Sequence, residues 1–132
     1  MKKLLVILSL ALLSSACSHG KTEHFPDLGQ SAETAEIFII RNNNLMGWGF
    51  SVSVYYDDMA IANLRAGEHL SFFVEPGFHS VGTSDSRITV PLNAGQKHYF
   101  LISAEYSQFG FEISRISNEK GEGWITKTRP LE

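Results

Sequence analysis

The 132-residue chain carries 43% hydrophobic and 19% charged residues at a formal net charge of −3, a globular balance sized for one domain. The acidic excess excludes nucleic-acid binders, which need a basic footprint to displace counterions from phosphate. Its Lys and Arg are scattered along the sequence, which argues against electrostatic docking to an anionic membrane surface.

Met1-Lys2-Lys3 is a basic leader, and Leu4 to Leu13 is an apolar run interrupted only by Ser9. Ten residues of helix rise about 15 Å, half of a hydrocarbon core of about 30 Å, so this reads as a signal peptide over residues 1–16 and not a membrane span. Leu13-Ser14-Ser15-Ala16-Cys17 is similar to a bacterial lipobox, with Ser14 where Leu is usual and Leu13 one step earlier. Small residues admit the backbone to a narrow protease site, and the Cys17 thiol is the nucleophile that takes a diacylglyceryl group. An ordinary secretory cleavage would also cut before Cys17. With one cysteine in the chain no internal disulfide forms, and a bare thiol is a liability in an oxidising compartment, which favours acylation. Ser18, rather than Asp, follows the sorting pattern of outer-membrane lipoproteins. Processing leaves nine Lys and Arg against fourteen Asp and Glu, a charge of −5.

Ser18 to Thr34 is polar, holds Gly20, Pro26 and Gly29, and shows no apolar period. It reads as a flexible tether with a reach of about 20–25 Å. Its two histidines, His19 and His24, read as solvated rather than metal-ligating. The domain then spans 35–132.

Glu36–Arg41 has Ile37, Phe38, Ile39 and Ile40 in succession, a strand covered on both faces. Phe50–Tyr56 alternates, with Phe50, Val52, Val54 and Tyr56 on one face. Asp57-Asp58 turns into Met59–Leu64. His69–Val74 follows, and Glu75-Pro76-Gly77 has the residues of a type II turn leading to Phe78–Thr83. Paired as a hairpin, these two strands set Val74 opposite His79 and His69 opposite Ser84. Arg87–Leu92, Lys97–Glu105 and Phe111–Ile116 complete seven to eight strands, and Asn118 caps a short helix over Glu119–Trp124 that Gly121 and Gly123 weaken. Strands with turn signals every 8–12 residues predict an all-β antiparallel sandwich.

The stretch Val54-Tyr55-Tyr56-Asp57-Asp58-Met59-Ala60-Ile61-Ala62-Asn63-Leu64-Arg65-Ala66-Gly67, with Pro76-Gly77-Phe78-His79 and Ala94-Gly95-Gln96-Lys97-His98-Tyr99-Phe100, resembles a bacterial lipoprotein family known as domain of unknown function 2846. The likeness runs from about Ile37 to Trp124. It departs at Asp58, where Gly is usual, and so implies a looser first hairpin turn. The resemblance implies a β-sandwich at an envelope address, and it implies no activity.

Catalytic signals are thin. Asp57 and Asp58 are adjacent and point apart, whereas paired-carboxylate hydrolysis needs two carboxyls converging across about 5–9 Å. There is no nucleophile elbow and no cysteine in the domain. Of the domain histidines His69, His79 and His98, the hairpin sets His69 about 15 Å or more along the strand from His79, too far for one ion, and His79 reads as a turn histidine bonded to nearby backbone. No metal and no cofactor are expected. The feature that invites contact is Leu45-Met46-Gly47-Trp48-Gly49-Phe50, with Met46, Trp48 and Phe50 as its large apolar residues. It either plugs the open end of the sandwich or meets a ligand or partner. Two functions fit: a non-catalytic lipid-anchored envelope module with a protein or glycan partner, or an envelope hydrolase or inhibitor-type protein acting on a cell-wall or protease target.

Overall fold

The computed structural model describes residues 20–43, 49–105 and 110–131. In chain order its strands are β1 (Gly20–Lys21), β2 (Ala35–Arg41), β3 (Val52–Tyr56), β4 (Met59–Leu64), β5 (Glu68–Val74), β6 (Gly77–Gly82), β7 (Arg87–Leu92), β8 (Lys97–Glu105), β9 (Gly110–Ile116) and, after helix α1 (Asn118–Lys127), β10 (Arg129–Pro130). They form two five-stranded sheets, β1-β4-β3-β6-β7 and β10-β5-β2-β8-β9. Alternation along the strands sends Ile37, Ile39, Leu70, Phe72, Phe100 and Ile102 from one sheet, and Val54, Ile61, Leu64, Val81 and Leu92 from the other, into one core. The chain is an all-β sandwich, with one short helix among the described residues.

Pairing is mostly antiparallel, but β2 runs parallel to β8 and β10 parallel to β5. The cause lies in the crossings. The chain leaves the second sheet after β2, returns for β5, leaves again and returns for β8, so β2 and β8 start from the same end. Glu75-Pro76 is one of these crossings and not a hairpin: β5 and β6 sit in different sheets. His69 therefore pairs with Ile40 and Pro130, and the expected registers of Val74 with His79 and His69 with Ser84 do not form. Gly77 holds φ +128°, a backbone that L side chains rarely adopt.

The Asp57-Asp58 turn is tight rather than loose. Both residues sit at positive φ, +46° and +64°, the signature of the two-residue hairpin turn that suits strand twist. Their carboxylates offset the strain. Asp57 accepts the Ser80 N–H at 3.1 Å, and Asp58 meets Arg87 at 2.6 Å.

β2 is covered on both faces, as its unbroken apolar run predicts. Phe38 stacks on Tyr99 with centroids 4.6 Å apart. Helix α1 lies over that pair, close enough that a Cβ on Gly121 would fall 2.2 Å from the Tyr99 ring. The helix is longer than expected, and its cap is Ser117, not Asn118: the Ser117 hydroxyl accepts the Lys120 N–H. Tyr99 donates to the Glu122 carboxylate on the same helix.

The tether reading fails for residues 20–34. β1 pairs with the outer edge of β4, Gly20 opposite Asn63. Thr22 donates its N–H to Ile61 O at 2.9 Å and its hydroxyl to Ala60 O at 2.8 Å. Phe25 packs edge-on against Phe72 at 5.3 Å. Leu28 N–H then donates to Phe73 O, and Asp27 accepts the Phe73 N–H. The segment is a strap hooked to β4 in one sheet and β5 in the other, and it closes that side of the sandwich. Its polar composition hides these bonds because they go to the backbone.

Candidate contact end of the sandwich

The strap, β2, β3 and β4 define one end of the molecule. β2 finishes there at Arg41, β3 begins there at Val52, β4 leaves there at Leu64, and β1 enters there at Gly20. Strand parity places Arg41 in line with Ile37 and Ile39, so its side chain points inward. It is 1% exposed. Its Nη1 donates to Phe50 O at 2.5 Å and Leu64 O at 2.8 Å, and its guanidinium lies 4.8 Å from the Phe111 ring centroid. Burial pulls its pKa down from the ordinary value and the charge of Glu68 holds it up. Glu68 is also buried, and it accepts the Arg65 N–H at 2.6 Å. A buried charge is tolerated only when paired and hydrogen-bonded. Here the pairing fixes both turns of this end, Leu64–Glu68 directly and Phe50 through its carbonyl.

Phe50 was expected to open β3 on the face of Val52, Val54 and Tyr56, and to belong to the loop that either plugs the sandwich or meets a partner. The strand instead starts at Val52, and Phe50 is 73% exposed, the backbone pinned by Arg41 and the ring outward. Met46 and Trp48 lie outside the described residues, as do Cys17 and His19. Sequence reasoning placed Arg41 at the end of a strand and gave it no role. The signal for its role was parity, since an arginine two and four residues after inward isoleucines has nowhere to go but inside.

Two exposed cations lie at the same end, Arg65 in the turn after β4 and Arg129 on β10 opposite Glu68, whereas Lys21 on β1 directs its Nζ to 4.6 Å from the Phe25 ring centroid, toward the middle of the sandwich. Lys21 borders a hollow of about 110 Å³ with His69, Pro130 and Leu131, and Arg129 reaches toward Gly67. A second hollow, of about 120 Å³ beside Thr34 and Gly95, lies at the opposite end. Both are small against the roughly 300–1,000 Å³ typical of ligand pockets.

The histidines are placed apart. His79 bonds backbone as expected: Nε2 donates to Glu75 O at 2.8 Å, while Nδ1 faces Asp57 at 2.7 Å and the Tyr56 hydroxyl at 3.0 Å. Burial, then the charges of Asp57 and Glu75, push the Tyr56 phenol well above its ordinary range, so it stays protonated. His69 Nδ1 meets Thr128 Oγ1 at 2.8 Å. His98 is 1% exposed; Nε2 accepts the Asn93 N–H, and Arg115 lies 2.5 Å from Nδ1. Among the described residues no three His, Cys, Asp or Glu are grouped so as to hold a metal ion.

No family model, curated protein or solved structure matches the chain.

Proposed function

We propose that the protein is a lipid-anchored, non-catalytic module of the bacterial cell envelope, held in the outer membrane through Cys17, with an envelope protein or glycan as its partner. The observation that carries the reading is at the N-terminus: the lipobox-like Leu13–Cys17 is followed within three residues by a strand paired to the domain. Such a chain brings the anchor directly to the folded body. The commitment of His69, His79 and His98 to hydrogen bonds within the fold supports a structural use of the residues best suited to acid–base work.

Cys17→Ala should abolish metabolic labelling with fatty acid and release the protein from the membrane fraction. Unchanged labelling in that variant refutes the anchor. Ser18→Asp should move the labelled protein from the outer to the inner membrane on a density gradient.

A further inference from the structure

We infer that the end of the sandwich carrying Phe50, Arg65 and Arg129 rests on the lipid bilayer, with the Phe50 ring at the boundary of headgroups and acyl chains and the two cations against lipid phosphates. The inference rests on acylation of Cys17 and adds to it an orientation and a second, non-covalent membrane contact.

Chain length is the first argument. Three residue steps separate Cys17 from Gly20, and a fully extended chain gains at most about 3.6 Å per step, so the anchored cysteine lies within about 11 Å of the first strand. Gly20 opposes Asn63, so β1 begins at the end where Arg65 turns and Phe50 stands out. The headgroup layer on each side of a bilayer is itself several ångströms thick. A domain whose strand begins this close to the lipid glycerol touches the headgroups, and it does so with this end.

The chemistry of the end is the second argument. Trp, Phe and Leu make up the apolar faces of segments that lie in the membrane interface, and these settle about 5–10 Å into the headgroup and acyl boundary. Phe50 is 73% exposed on a backbone fixed by Arg41, a ring presented outward rather than awaiting a core. Arg65 and Arg129 are exposed at the same end, on a mature chain whose net charge is −5. Of the acidic groups near them, Glu68 is buried with Arg41, while Glu23 and Asp85 are exposed, and Asp85 accepts the Phe111 N–H. Basic residues beside an aromatic anchor match an anionic lipid surface.

The test uses the full-length protein purified from membranes, reconstituted into vesicles of phosphatidylethanolamine and phosphatidylglycerol. Acylation consumes the single native thiol, so Phe50→Cys and, at the opposite end, Ala94→Cys each offer one site for a nitroxide label. Intact mass reports the acyl groups. Power saturation with oxygen and with a nickel chelate reports immersion. At position 50, oxygen should relax the label more than the nickel chelate does, and at position 94 the order should reverse. An acylated protein with the same water-like ratio at both positions overturns the membrane contact and leaves the anchor standing. A label at position 50 shielded from both reagents overturns it too, by showing a protein partner there. A mass without acyl groups overturns the anchor and the contact together.

Discussion

Arg41 shows how one residue fixes one end of the sandwich. Removing its side chain leaves Glu68 buried without its counter-charge and two carbonyls without their donor. Arg41→Ala should therefore cost about 3–5 kcal/mol in urea unfolding, and it should blur the position of Phe50. A cost under about 1 kcal/mol would mean that water replaces the guanidinium freely. His98 sets the response to pH. Burial, aided by the charge of Arg115, holds its pKa below the ordinary 6.5, and burial does the same at His69. The unfolded chain thus binds protons at these rings at a pH where the folded chain does not. The sign follows: stability is full above about pH 6.5 and falls as the pH drops below it, by at most about 1.4 kcal/mol per unit for each histidine. His98→Gln, which keeps an acceptor for the Asn93 N–H, should flatten that slope in urea titrations between about pH 8 and pH 5.

Helix α1 makes two glycines with equal helix propensity unequal. Gly123 has open space around its missing Cβ, so Gly123→Ala should stabilise the domain by up to about 1 kcal/mol. Gly121 lies on the Tyr99 ring, and Gly121→Ala must push the helix away at a cost of about 1–3 kcal/mol, because packed rings do not yield. Chemical denaturation of the two variants, side by side, separates propensity from packing; equal effects would refute the close approach. The same contrast explains what the sequence reveals. Strands β3 through β9 are legible because period-two alternation and turn residues are local signals, and β4, β7 and β8 match their expected bounds. The sheet each strand joins is not local. Pro76-Gly77 serves a hairpin or a crossing with the same residues, and only the core's demand for β6 beside β3 decides. At the candidate end, Phe50 stands out in the sequence as a candidate for contact because it is a large apolar group among glycines. The cations at that end, Arg65 and Arg129, do not stand out, being 64 residues apart in sequence.

For the molecule as a whole, the strap is part of the fold. A chain starting at Ala35 lacks the cover on β4 and on part of β5, and it leaves Phe72 without Phe25. Bare strand edges pair with other chains. Such a truncation should melt lower than a chain starting at Gly20 and should associate in sedimentation velocity; an equally stable monomer would show that the strap is dispensable. Attached to a lipid, the strap also determines how the domain bears tension. A tug from the bilayer enters at Gly20 along the axis of β1, antiparallel to β4. The β1–β4 bonds and those of Thr22 to Ile61 and Ala60 are then loaded in shear, all at once, instead of being peeled one after another. Behind them Phe25 is wedged on Phe72 as a stop. The same few residues that shorten the leash therefore work as a clamp, and a pull that would unzip a hairpin from its tip meets the whole grip together.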